Sequence, residues 1–391
     1  MLSYQIKKYM VFICHFIVNS ICFCLRIFPI KSNRVFVMSY HGKNLSGNPK
    51  YVAQYLKEHH PEMEVIVGHY DKLEGYQTVK PDPYRINYLY YLMTSKFWID
   101  NCRKTFPIYK RSKQVYIQTW HGTALKRIEF DAEQSLSELY LHGAKIDSQQ
   151  IDYFVSPNRF MSKMTPSTFK YDGELLEVGY PRNDILINLS DQQKQAIKTS
   201  LNLDLNKKII LYGPTYRDGS KNKNDFSTGL DIDLDAFYEQ FGEEYQLLLR
   251  LHSNVATDIE INPKYEHLIH NVSFYPDSQE LLAIADLLIT DYSSLFFDFA
   301  VTKRPMIFYA HDLELYRDKL RGFYFEYESF VPGPIARNME QLFNILKNWD
   351  DYYTEAYYEQ LDNFCEEFTT FETGHAAEQI AKLMTEMQKK K

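Results

Sequence analysis

Three stretches of this chain place reactive side chains where a buried strand would end. The first is Gln118-Thr119-Trp120-His121-Gly122-Thr123-Ala124-Leu125-Lys126, which follows an apolar run. His121 would stand at the carboxyl edge of its sheet. An imidazole there can take a proton from an attacking hydroxyl, because its reference pKa of about 6.5 lies near working pH. Gly122 permits close backbone approach, and Thr123 is placed to cap a helix beginning at Ala124. A lone buried histidine bonded to backbone is the competing reading, and the Gly-Thr turn favours the chemical one. The second stretch is Leu247-Leu248-Leu249-Arg250-Leu251-His252. Arg250 and His252 alternate with apolar residues, so both point to one face and suit a diphosphate. A surface Arg-His pair would read the same way.

The third stretch runs from Asp286 to Arg304. Leu287, Leu288 and Ile289 read as a buried strand that stops at Thr290 and Asp291. Ser293 reads as the N-cap of a helix whose apolar face is Leu295, Phe296 and Phe299. Ser294 and Asp298 form an i,i+4 pair on that helix. Hydroxyls and free amides at such a turn suit a phosphate, and Asp298 suits a ribose or polyol hydroxyl. The alternative is a capped helix with Asp298 merely exposed. Pro214 and Thr215, in Gly213-Pro214-Thr215-Tyr216-Arg217, offer a further tight turn with exposed amides. Arg182, in Gly179-Tyr180-Pro181-Arg182-Asn183-Asp184, is a further cation on the phosphate side.

Positioning these groups requires strands that alternate with helices. Strands are expected at 34–40, 64–67, 97–100, 115–120, 153–156 and 175–178, with a helix at 50–59. A second series is expected at 208–212, 245–251, 287–290 and 306–309. That alternation argues for mostly parallel sheets covered on both faces. A polar helix at 192–199 falls in a junction near 185–205, and 218–228 reads as a long exposed loop. The expected organisation is an N-terminal apolar helix (1–30), a Rossmann-like domain (34–190), a second Rossmann-like domain (205–345) and C-terminal helices (346–391).

With 391 residues, 45% hydrophobic and 24% charged, the chain can bury real cores in two domains. A formal net charge of −7 argues against a general nucleic-acid binder. The five cysteines (Cys14, Cys22, Cys24, Cys102, Cys365) form no C-x-x-C pair. Neither a disulfide framework nor a zinc site follows, and a reducing compartment is the default. Residues 9–25 carry no formal charge apart from any on His15, between Lys7-Lys8 and Arg26. No convincing cleavage site for a signal peptide follows. The length is at the lower limit for spanning a membrane. If the segment is helical, Lys8, His15, Asn19 and Arg26 lie within about 20° of one line at 100° per residue. A narrow polar stripe on a greasy helix favours attachment in the plane of a membrane surface over spanning it. A core-packing helix is the competing reading.

No Walker A loop and no G-x-G-x-x-G follows a strand. Asp231-Ile232-Asp233 follows a polar loop, so it reads as a solvated helix start rather than a metal-nucleotide motif. No His/Cys cluster has metal-ligand spacing; magnesium could arrive bound to a diphosphate.

Taken in order, Trp120-His121-Gly122-Thr123, 179–184, Pro214-Thr215-Tyr216-Arg217, Arg250-Leu251-His252 and Thr290-Asp291-Tyr292-Ser293-Ser294 with Asp298 resemble the CDP-glycerol glycerophosphotransferases of teichoic acid and capsule synthesis. His41-Gly42-Lys43 with Asn48-Pro49 resembles the family's opening loop, and the likeness runs from about residue 34 to 335. The resemblance implies a GT-B-like α/β fold: two Rossmann-like domains facing across a cleft, with an N-terminal membrane-associating helix. It implies that His121 activates the acceptor hydroxyl. Arg250, His252, Ser293 and Ser294 would hold the donor diphosphate, and Arg182, Pro214, Thr215 and Asp298 would complete the CDP-glycerol site; Trp120, Gly122 and Thr123 would be further substrate-binding residues. It also implies peripheral attachment at the cytoplasmic face of a bacterial membrane and an undecaprenyl-diphosphate-linked acceptor. About 30 residues precede the first expected strand, closer to the family's short members than to its long polymerases. CDP-ribitol as donor stays open, as does primer against polymerase. A non-catalytic glycan-binding subunit is a further alternative, but it would not need both His121 and His252.

Overall fold

The computed structural model describes residues 2–104, 106–215, 230–251, 261–315 and 322–389. The chain divides into two compact units. The first comprises Met1–His121, Ile128–Asp184 and Thr370–Lys391; the second comprises Gly122–Arg127 and Ile185–Thr369.

The first unit is built on a seven-stranded sheet in the order β3-β2-β1-β4-β5-β6-β7. Its strands are β1 (Lys31–Met38), β2 (Glu64–Gly68), β3 (Gln77–Val79), β4 (Ser95–Asp100), β5 (Val115–Gln118), β6 (Tyr153–Ser156) and β7 (Glu174–Glu177). Every pairing is parallel. Central strands such as β1 and β4 bury both faces, which is why Val35-Phe36-Val37 and Phe97-Trp98-Ile99 are unbroken apolar runs. Strand order reverses between β1 and β4. At such a switch point the loops leave in opposite directions and open a crevice at the carboxyl edge.

The second unit repeats the scheme with six parallel strands in the order β10-β9-β8-β11-β12-β13. These are β8 (Lys208–Gly213), β9 (Tyr245–Leu249), β10 (Ile269–Asn271), β11 (Leu287–Thr290), β12 (Met306–Tyr309) and β13 (Ile335–Ala336). Here the switch point lies between β8 and β11. The strands missing from the sequence reading, β3, β10 and β13, are two or three residues long and lie at sheet edges. An edge strand that short has too few residues to show a periodicity.

Some local expectations change. No helix begins at Ala124. Lys126 instead forms an antiparallel bridge with Phe323, and the Tyr324 and Arg127 amides donate to the Leu125 and Gly322 carbonyls. Gly122 has φ 151°, and Leu125 is buried. The polar helix at 192–199 is present as Asp191–Ser200, closed by a capping box between Ser190 and Gln193. Asp233 caps the helix Leu234–Phe241 through the Ala236 amide (3.0 Å), as a helix start should. The expected loop at 218–228 lies outside the described residues.

The N-terminal helix α1 (Leu2–Cys24) uses its polar stripe in an unexpected direction. Asn19 Nδ2 donates to the Pro107 carbonyl (3.0 Å), and its Oδ1 accepts from the Tyr109 amide (3.0 Å). His15 packs edge-on against Phe106. His15 and Asn19 of that stripe therefore face the protein, whereas Arg26 is exposed. Val18 and Cys22 are buried beside it. The outer face is left open and greasy: Phe16 is 75%, Phe23 69% and Ile13 58% exposed. The stretch Tyr9–Ile27 has the length and mean hydropathy (2.0) of a membrane-crossing helix.

Candidate active site

At the carboxyl edge of the first sheet, β5 ends in Thr119, Trp120 and His121. Trp120 has φ 51°, a left-handed conformation unusual for a bulky residue. It is held there. The Asn48 side-chain amide donates to both the Thr119 and Trp120 carbonyls, each at 3.0 Å. The Trp120 amide donates to Gln118 Oε1 (2.9 Å), and the indole packs against Phe169. The His121 ring lies 4.2 Å from the Trp120 ring, centroid to centroid. The strain is thus met by a fixed cradle, and its result is a rigidly placed imidazole.

His121 Nδ1 lies 2.8 Å from the Asn101 carbonyl. A carbonyl only accepts, so Nδ1 carries the proton and Nε2 keeps a lone pair, the form a general base needs. Burial lowers the His121 pKa below its usual value. The Asn101 carbonyl opposes that shift, and the Arg182 charge adds to it. The ring is accordingly neutral at pH 7. Arg182 is brought to this same turn: its amide donates to Asn48 Oδ1 (3.2 Å) and its Nη1 to the His121 carbonyl (2.8 Å). The chain crosses into the second unit at Gly122, and Thr123 is buried there. Nearby in the first unit, a cavity of about 200 Å³ is lined by His41, Tyr70, Tyr84, Tyr88, Lys104 and Phe106 among others.

At the switch point of the second sheet, β8 runs into Pro214 and Thr215, and β11 into Asp291, Tyr292, Ser293 and Ser294. The two strand ends are laced together. The Thr215 amide donates to Asp291 Oδ1 (2.8 Å), and the Thr290 hydroxyl donates to the Gly213 carbonyl (2.6 Å). Tyr292 is fully buried, stacked on Phe323, with its hydroxyl donating to Asp312 (3.0 Å). The N-cap of the helix Leu295–Ala300 is Ser294, not Ser293, although the Ser293 hydroxyl accepts from the Leu295 amide at 3.3 Å. Asp298 is not exposed; it is 4% accessible and accepts from Gln279 Nε2 (3.3 Å). Arg250 directs Nη1 at three carbonyls, those of Val272, Ser273 and Tyr275, at 2.6–2.9 Å. Burial lowers its pKa, and Asp277 opposes that. The guanidinium therefore orders the 272–275 turn whatever else it meets. His252, Tyr216 and Arg217 lie outside the described residues. Among the described residues, no group of three His, Cys, Asp or Glu side chains is placed to hold a metal ion.

Sequence reasoning brought His121 and Arg182 out separately, and the structure joins them. It missed Asn101 and gave Asn48 no part in holding the site. Both are buried polar side chains next to a strand end or helix start, the same signal that singled out His121.

Two parallel sheets of this kind, each with a switch point at its carboxyl edge, define a GT-B-like α/β fold. Residues 20–386 match the family model described as CDP-Glycerol:Poly(glycerophosphate) glycerophosphotransferase, and the chain belongs to that family. It is 35% identical over 365 residues to the teichoic acid poly(glycerol phosphate) polymerase of Bacillus subtilis (strain 168), covering 90% of this chain and 48% of that one. It is 36% identical over 364 residues to the teichoic acid glycerol-phosphate transferase of Staphylococcus aureus (strain NCTC 8325 / PS 47), covering 89% and 92%. The chain thus spans about half the length of the first polymerases it matches. Its structure is similar to that of the wall teichoic acid polymerase TagF, with a TM-score of 0.85, 31% identity and 98% of each chain covered. A TagF variant soaked with CDPG is among these structures.

Proposed function

We propose that this chain transfers glycerol phosphate from CDP-glycerol to a hydroxyl of a lipid-linked teichoic acid or capsule acceptor, with release of CMP. The observation that carries the reading is His121: a half-buried, neutral imidazole with Nδ1 pinned and Nε2 unprotonated, at the carboxyl edge of a parallel sheet. It would accept the proton of the attacking hydroxyl. Phosphoryl transfer needs mainly positioning and charge neutralisation beyond that. The turn at Thr215 and Ser293-Ser294 supplies amides and hydroxyls for the donor phosphates. Arg250 and His252 would supply charge, and Asp298 would support the polyol end from its buried position. A magnesium ion, if used, would travel with the diphosphate. Glycerol is favoured over ribitol because the relatives described above, named for glycerol phosphate, are 35% and 36% identical, whereas those named for ribitol phosphate are 28% and 29% identical.

The open apolar face of α1 supports peripheral attachment to the cytoplasmic face of a membrane. Its polar side is tied to the first unit through Asn19, so the helix would lie in the surface rather than cross it. The experiment is CMP release by purified protein on a lipid-linked glycerol phosphate acceptor, with CDP-glycerol and CDP-ribitol in parallel. Release with CDP-glycerol alone is expected, and product length then separates primer from polymerase. Release with CDP-ribitol alone would overturn the donor; release with neither, across several acceptors, would overturn the transferase reading.

A further inference from the structure

The switch point of the first sheet holds a second polar feature that the base does not explain. Helix α2 (Gly47–His59) begins there, directly after the loop that leaves β1. Ser46 stands at its N-cap but makes no side-chain capping bond. The first amides of any helix lack partners within it, and the helix dipole adds positive potential at the same place. Gly47 sits at φ 61° with no side chain over this end.

Asn101, just past the end of β4, aims into the same notch. It is fully buried. Its Oδ1 accepts from the Tyr40 amide at 2.9 Å, which fixes the orientation of its side chain. Its Nδ2 is therefore turned the other way, and it finds no acceptor among the described residues. A Cβ added at Gly47 would lie 3.3 Å from that Nδ2 and 3.4 Å from the Tyr40 hydroxyl. Two side-chain groups thus converge on an uncapped helix start. A buried amide donor left unmet is destabilising, and a bound acceptor group would remove that cost. The backbone carbonyl of this same residue holds His121 Nδ1 at 2.8 Å. The Arg182 charge acts on His121 as well, with the Glu129 carboxylate opposing it.

We infer that the start of α2, Asn101 Nδ2 and the Tyr40 hydroxyl form a phosphate-binding subsite that takes the terminal phosphodiester of the acceptor, next to the base. This rests on the proposed transferase reading for the identity of the anion, but not for its chemistry. The subsite supplies donors only and takes no part in bond making. It fixes the acceptor's last phosphate, so that the hydroxyl of the residue carrying it is presented near His121. A helix start with an extra amide donor suits a singly charged diester, whose two free oxygens can each accept.

The test is calorimetric titration of the full chain with bis(glycerol) phosphodiester, inorganic phosphate, glycerol and CDP-glycerol. The wild type should bind the diester in the millimolar range and glycerol not at all. Asn101→Asp keeps the Tyr40 contact but puts a carboxylate in the notch, and should weaken the diester at least tenfold. Asn101→Ala and Tyr40→Phe remove one donor each without adding charge, and should weaken it several-fold. CDP-glycerol affinity should be unchanged in all three, and thermal midpoints show which variants are folded. Absence of diester binding to the wild type, or equal diester binding by the wild type and the folded variants, overturns the subsite. Inorganic phosphate binding as tightly as the diester overturns its assignment to the acceptor. If CDP-glycerol fails to bind the wild type while the diester behaves as expected, the donor reading falls and the subsite stands.

Discussion

The two carboxyl edges of this chain use the same sheet architecture for different ends. In the first unit the edge is strained and locked: Tyr40, His41 and Trp120 all have left-handed φ values (44°, 57° and 51°), and Asn48 ties Thr119, Trp120 and Arg182 into one body. In the second unit no residue of the Thr290–Ser294 turn has positive φ, and its contacts are short hydroxyl, carboxylate and amide links. On the proposed reading the difference follows from what each reaction partner demands. Proton transfer would fail if the base were turned, so strain would be tolerated to fix one ring, whereas a diphosphate would accept donors over a wide surface, so unstrained amides and hydroxyls would suffice.

The comparison can be broken most sharply at His121. His121→Ala should lower kcat about 10²- to 10⁴-fold, the usual worth of a general base, with CDP-glycerol affinity unchanged. Steady-state CMP release and donor titration check this, and unchanged turnover would sink the assignment. Asn48→Ala comes next. It removes two donated bonds and one accepted bond from buried backbone, and should cost about 2–3 kcal/mol of stability. If the cradle matters, the thermal midpoint and kcat fall together while the donor KM holds; a rise in the donor KM alone would place Asn48 in the wrong role.

In the second unit, Ser293→Ala with Ser294→Ala should raise the CDP-glycerol KM about tenfold, near 1.4 kcal/mol, with kcat within about twofold. A collapse of kcat at constant KM would mean that this edge, too, acts on the transition state. The smallest effect concerns pH. A lowered His121 pKa keeps the base neutral at pH 7, so kcat/KM should hold as pH falls to 6.5 and decline only below it. Arg182→Gln removes a positive charge that disfavours the imidazolium. The acidic limb should then move to higher pH, by less than about one pH unit; a shift the other way would contradict the electrostatics.

Much of this frame was legible in the order of residues. The apolar runs at β6, β11 and β12 match their expected bounds, because a strand buried on both faces has no choice of composition. His121, Arg182 and Thr215 were visible as polar residues placed just past such runs. What was not legible depends on partners distant in sequence. Asn48 and Asn101 become important only because β1, β4 and β5 lie side by side, which no local pattern announces. The polar stripe on α1 was visible, but its direction was not: periodicity says that His15 and Asn19 share a face, and only the backbone at 107–109 decides what that face meets. The helix expected at Ala124 gave way to tertiary pairing with the segment 322–324.

The helix Ala376–Lys389 packs Ile380, Ala381 and Met384 into the same core as Val35, Val37, Val52 and Ile99, and Asp184 accepts from the Ala376 and Ala377 amides that start it. The first unit is therefore completed by residues made last. At roughly 5–20 residues per second, the ribosome spends about ten to forty seconds on residues 185–369 before those apolar positions emerge. Throughout that interval the nascent first unit has an uncovered seam, while α1 is already outside with its greasy face free. A chaperone or a membrane surface has its best opportunity to act on this protein before its synthesis ends.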